Sequence, residues 1–199
     1  PMSRRIGLFG GSFDPPHNAH LALAQCALDE LKLDEVRWIP AGAPWQKTRV
    51  MTPAAQREAM VALAISDEPR FVLDRCEIER EGPTYTIDTV HALQARYPAS
   101  EWFLLIGQDQ YAGLPTWRGW QELLGLVLLA VANRPGSVPA VHPDVIRSRQ
   151  RTVPLPMLDI SATQIRRRVA DGKPIDHLVP PGVARYIADH HLYKDAAAH

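Results

Sequence analysis

GLFGGSFDPPHNAHLALAQCAL, residues 7–28, carries a short apolar run into two glycines, a Ser-Phe-Asp-Pro-Pro turn and two histidines before a helical pattern begins. A strand that stops on Gly10-Gly11 and passes by a tight turn into a helix is half of a β-α unit. Two residues without Cβ let a ligand approach the main chain closely. The first amides of the following helix point at the same place, which makes an anion site. Pro15-Pro16 fix the turn ahead of the helix. His17 and His20 are three apart, so they can share a helix face. Their spacing fits donors to a phosphate, half of a zinc site, or ordinary helix-start residues. For zinc, a third ligand at useful spacing is lacking, and Asp14 is the only carboxylate near in sequence. The stretch is neither a Walker A loop, since no Gly-Lys-[Ser/Thr] follows, nor the Gly-x-Gly-x-x-Gly dinucleotide fingerprint.

Outward from this turn, short apolar runs alternate with helical patterns along the whole chain. Strands are expected at 5–10, 35–40, 70–79, 101–107, 126–132 and 152–158, and helices at 18–32, 53–66, 86–96, 117–124, 142–149, 161–171 and 181–190. Several runs are continuously apolar, as in parallel strands covered on both faces. The alternation predicts an α/β fold, a Rossmann-like doubly wound parallel sheet, with ligands beyond the carboxyl ends of its strands. Polar residues and glycines do gather there, in Gly10–His20, Ala41–Lys47, Gly82–Thr86, Gly107–Asp109, Asn133–Gly136 and Asp159–Arg166. One domain is expected over 4–194, its helical part at about 161–194 packed on the sheet. Residues 1–3 and 195–199 are set aside as tails.

The 199 residues suffice for one ordinary core. Twenty-two basic against 22 acidic residues give zero formal charge, which argues against a general nucleic-acid or membrane-surface binder but not against one small anionic ligand. No run reaches the roughly 18 apolar residues of a membrane span, and no signal-peptide pattern opens the chain. The two cysteines, Cys26 and Cys76, make no disulfide framework, so a reducing cytoplasm is expected.

A second punctuated helix lies at DISATQIRRRVADGKP, residues 159–174. Ser161 reads as its N-cap with Gln164 as capping-box partner, and Gly172 with Pro174 ends it. Thr163 and arginines in the first turns make another anion site. Arg166, Arg167 and Arg168 are successive and cannot all face one ligand.

GGSFDPPHNAH resembles the G-G-[ST]-F-D-P-x-H-x-G-H signature of the nucleotidyltransferase superfamily with the (H/T)xGH motif. Ala19 stands where glycine is usual. Residues 160–166 resemble that superfamily's I-S-S-T-x-I-R motif, with Ala162 in place of serine. IPAGAPWQK (39–47), QREAMVALAI (56–65), GPTYTIDTV (82–90) and LIGQDQYAGLPTWRGWQELL (105–124) resemble stretches of the bacterial nicotinate-nucleotide adenylyltransferase family, with Gln46 and Thr84 as departures. Phosphopantetheine adenylyltransferases and cytidylyltransferases share the first motif and are the alternatives within the class. A non-catalytic nucleotide-sensing module is the alternative outside it.

The resemblance implies transfer of AMP from ATP to nicotinate mononucleotide, releasing pyrophosphate, with Mg²⁺ carried on the ATP phosphates and no metal ligands from the protein. It implies His17, His20, Lys47 and Arg166 as catalytic groups. ATP would meet Gly10, Gly11, Ser12, Phe13, Ser161 and Thr163, its ribose Gly107 and Asp109, and its base or phosphates Arg134. The nicotinate nucleotide would meet Asp14, Thr86, Tyr85, Trp117 and Arg118, with Trp117 stacked on the pyridine and amides near 117–118 on the carboxylate. No nucleic-acid or membrane partner is implied; a homo-oligomer is left open.

Overall fold

The computed structural model describes residues 4–42, 50–133, 140–155 and 158–195. Lys47 and Arg134, and with them Gln46, lie outside the described residues.

Six strands make one parallel sheet: β1 (Arg5–Gly11), β2 (Glu35–Pro40), β3 (Phe71–Leu73), β4 (Glu101–Ile106), β5 (Leu128–Asn133) and β6 (Gln150–Pro154). Their order is β3-β2-β1-β4-β5-β6, that of the doubly wound dinucleotide-binding folds. β1 is central, with Gly7 opposite Val36 on one side and Phe103 on the other. The order reverses between β1 and β4, so the crevice at the switch opens beyond the tips of those two strands.

Side chains alternate across the sheet into two cores. Phe9, Val36, Trp38, Phe103 and Leu105 face one side, covered by α1 (Asn18–Leu31), α2 (Ala54–Ala64), α8 (Ala162–Ala170) and α9 (Pro181–Asp189). Ile6, Leu8, Ile39, Leu104 and Ile106 face the other, covered by α4 (Thr86–Arg96), α5 (Gln108–Gly113), α6 (Trp120–Leu126) and α7 (Pro143–Ile146). Among the described residues, no helix is long and apolar enough to cross a membrane.

Three expectations need correction. The run at 70–79 is not one strand: β3 stops at Leu73, and a single turn, α3 (Cys76–Glu79), follows. Asp74 makes the break, because its carboxylate accepts from the Cys76 amide at 3.0 Å and from Arg37 Nε at 2.8 Å. The helix placed at 117–124 begins only at Trp120, and α5 precedes it. β6 lies at 150–154 rather than 152–158.

Candidate active site

His17 caps α1 with extended backbone, and its N–H donates to Nδ1 of His20 at 3.0 Å. An Nδ1 that accepts carries no hydrogen, so the neutral His20 ring keeps its proton on Nε2. The two imidazoles stack with centroids 3.7 Å apart, and Phe9 and Phe13 meet His20 edge-on at 5.7 and 5.0 Å. Burial among these rings, and then the neighbouring His17, hold the His20 pKa well below the ordinary histidine value. At neutral pH His20 is therefore an uncharged N–H donor beside the open end of a helix.

The second motif reaches the same place. Ser161 Oγ accepts from the Gln164 amide at 3.1 Å, and Gln164 Oε1 accepts from the Ser161 amide at 3.4 Å, the expected capping box. The three arginines diverge as helix geometry requires. Arg166 Nη1 donates to the Asp14 carbonyl at 2.9 Å and Nη2 to Thr163 Oγ1 at 3.2 Å. Arg167 is exposed, and Arg168 Nε donates to the Pro174 carbonyl at 2.9 Å. Residues 152 positions apart are thus joined, and the starts of α1 and α8 frame one turn.

Beyond the tips of β1, β2 and β4 lies a cleft of about 370 Å³. Gly10, Gly11, Ser12, Tyr85, Thr86, Trp117 and Arg118 line it, so most of the residues assigned to the nicotinate nucleotide share one cavity. The Arg118 guanidinium lies 4.6 Å over the Tyr85 ring. The Trp117 amide already donates to the Leu114 carbonyl at 2.9 Å, which leaves the carboxylate expected there to the Arg118 amide and Thr86.

Other sequence-assigned residues fall outside this cleft. Gly107 caps α5 with open space where a side chain would be, Asp109 is exposed in the first turn, and Ser161 and Thr163 are exposed at the start of α8. Phe13 is 2% exposed and its ring packs over Gly11, so it lies beneath the turn rather than in the cleft. Asp14, expected against the nicotinate nucleotide, is buried beneath the turn. Its carboxylate accepts from the Thr52 amide and from the Tyr193 hydroxyl.

The structure adds groups that sequence reasoning missed. Glu77, on α3, lines the cleft with Thr84 and Thr89, and Thr89 donates to its Oε2 at 2.7 Å. Burial raises the Glu77 pKa against the opposing effect of the two threonine hydroxyls. Arg57, 1% exposed on α2, donates to the carbonyls of Ser12 at 3.1 Å, Ala41 at 2.6 Å and Thr52 at 2.7 Å. It pins the loops after β1 and β2 together from below. At Gly42 a Cβ would lie 2.3 Å from the Glu77 carbonyl oxygen, so only glycine lets that loop rest on α3. Among the described residues, no group of three or more His, Cys, Asp or Glu could hold a metal ion.

The cytidylyltransferase-like family model matches residues 8–168. A protein of Methylibium petroleiphilum named "Probable nicotinate-nucleotide adenylyltransferase" is 51% identical over 96% of this chain and 92% of its own length. One of the same name from Shouchella clausii is 46% identical, over 96% and 98%. Among solved structures, the nicotinic acid mononucleotide adenylyltransferase of Plasmodium falciparum complexed with APC matches in fold, with a TM-score of 0.80. It is 18% identical over 96% of this chain and 98% of that one. With the family model matching most of its length and relatives of this name at up to 51% identity, the chain belongs to the cytidylyltransferase-like nucleotidyltransferases, in the nicotinate-nucleotide adenylyltransferase branch.

Proposed function

We propose that this protein transfers the AMP moiety of ATP to nicotinate mononucleotide, forming nicotinate adenine dinucleotide and pyrophosphate. The observation that carries the reading is the meeting of the two motifs at one turn, through Arg166 and the Asp14 carbonyl, beside a cleft of nucleotide size. An oxygen of the acceptor's 5′-phosphate bonds to the α-phosphorus of ATP, and the bond from that phosphorus to the β-bridging oxygen breaks. The acceptor phosphate is ionised at neutral pH, so no protein base has to activate it. The enzyme's work is then placement and charge neutralisation. His17, the His20 Nε2–H and the α1 amides serve the triphosphate from one side, Arg166 and the start of α8 from the other. Lys47 and Arg134 are proposed to add positive charge, and Gly107 and Asp109 to hold the ribose. ATP enters as its Mg²⁺ complex, the ion held chiefly by phosphate and water, which suits a site with few carboxylates at the turn.

The acceptor's pyridine is placed against Trp117, between Thr86 and the Arg118 amide. Zero net charge fits a small anionic substrate better than a polyanion or a membrane surface. The test is pyrophosphate release with ATP and, separately, nicotinate mononucleotide, its amide and phosphopantetheine. Turnover is expected with the first, and turnover with phosphopantetheine alone would sink the reading. Trp117→Ala should raise KM for nicotinate mononucleotide about tenfold, since stacking on a base is worth about 1–3 kcal/mol, while KM for ATP stays within twofold. Steady-state kinetics with each substrate varied checks this, and an equal rise in both KM values would remove Trp117 from the acceptor site.

A further inference from the structure

The signature turn is held by a residue from the other end of the fold. Asp14 is 1% exposed, and three partners converge on it: Tyr193 Oη donates to Oδ1, the Thr52 amide donates to Oδ2 at 3.0 Å, and Arg166 donates to its carbonyl. Tyr193 follows α9 and packs against the core shared by α1, α2, α8 and α9. Its φ is +65°, and His191 sits at +54°. For an aromatic residue that left-handed backbone is uncommon. Burial, and then the Asp14 carboxylate, raise the phenol's pKa, so the hydroxyl remains a donor.

We propose that Tyr193 is a positioning residue for adenylyl transfer: through the Asp14 carboxylate it fixes the turn that leads into His17, and through that turn's carbonyl the Arg166 fork. The proposal rests on the adenylyltransferase reading. Tyr193 reaches no substrate; it sets where the α1 amides, His20 and Arg166 stand around the triphosphate. A misplacement of about 1 Å in such a site can lower the rate a hundredfold. The effect falls on ATP, because the acceptor's ring and carboxylate are served by Thr86, Trp117 and Arg118.

Tyr193→Phe keeps the ring and removes the hydroxyl. At a temperature well below both melting midpoints, a lower stability alone leaves the folded enzyme's kinetics unchanged. The variant is expected to keep the wild-type circular dichroism and to bind nicotinate mononucleotide within twofold of wild type by calorimetry. Its affinity for ATP should fall severalfold and kcat/KM for ATP about tenfold or more. ATP binding and kcat/KM both within twofold of wild type would overturn the proposal, as would equal losses for both substrates. If Y193F does not fold, Asp14→Asn carries the test. It offers one oxygen where two are used, so the Tyr193 hydroxyl and the Thr52 amide cannot both donate to it as they do to the carboxylate, and the same ATP-selective loss is expected; unchanged ATP parameters overturn the proposal. Failure of both variants to fold assigns Tyr193 a structural role instead. Wild-type protein that turns over no acceptor fails the functional reading, whereas the ATP-affinity comparison still decides the role of Tyr193.

Discussion

His20→Ala is expected to lower kcat by two to three orders of magnitude while the protein stays folded. Removing one preorganised donor to developing charge typically costs about 10²–10³ in kcat. His20 is proposed as such a donor: the His17 amide occupies Nδ1, and packing against Phe9, Phe13 and His17 keeps the ring neutral with its hydrogen on Nε2. The stability loss is smaller. The variant strands the His17 amide at the helix cap, worth roughly 0.5–2 kcal/mol, or a few degrees of melting temperature at this size. Stopped or steady-state pyrophosphate release at saturating substrates measures the first effect and thermal unfolding the second. Turnover within tenfold of wild type would remove His20 from the phosphate site.

Arg57→Met is expected to be the most destabilising of the substitutions considered. The methionine fills much of the space, so the loss reports hydrogen bonding more than a cavity. Four carbonyls, of Ser12, Ala41, Thr52 and, at 3.5 Å, Gly42, accept from one guanidinium that is 1% exposed. Hydrogen bonds to a charged group contribute about 1.5–3 kcal/mol, and a buried acceptor left without a donor costs about 1–3 kcal/mol. These do not simply add, and a total of roughly 3–5 kcal/mol is expected. Denaturant unfolding reads it directly, and Arg57→Lys should recover little, because one ammonium nitrogen cannot span carbonyls that the guanidinium reaches from three separate nitrogens. A loss under about 1 kcal/mol for Arg57→Met would mean that the loops after β1 and β2 are held by other contacts.

The legible parts of this protein are those whose physics is local. Gly10-Gly11 before a helical pattern, Ser161 three before Gln164, and Gly172 after Ala170 each declare a turn, a cap or a stop from neighbouring residues alone. The continuous apolar runs declare buried parallel strands, and with them the crevice. Errors arose where a side chain reached across the sheet. Asp74 ends β3 by taking Arg37 of β2 as a partner, and nothing within 70–79 shows that. α5 hid because Gln-Asp-Gln-Tyr-Ala-Gly has no apolar period; Gln110 caps it by accepting from the Gly107 amide at 3.1 Å. Arg57 and Tyr193 were unreadable for the same reason. Their farthest partners lie 45 and 179 residues away, and an arginine in a helix or a tyrosine after one looks ordinary in sequence. Asp14 shows the limit of a motif: the residue was found, but its side chain faces inward to the fold.

The contact between Gly42 and the Glu77 carbonyl ties two parts of the chain that must change together. A side chain at 42 has to push α3 aside, and α3 carries the Glu77 carboxylate that lines the cleft beyond the strand tips. Substitutions at this crossing therefore reach the cleft through α3 rather than through the residue at 42 itself. Homologues that replace this glycine should carry a compensating change in the length or course of the α3 turn.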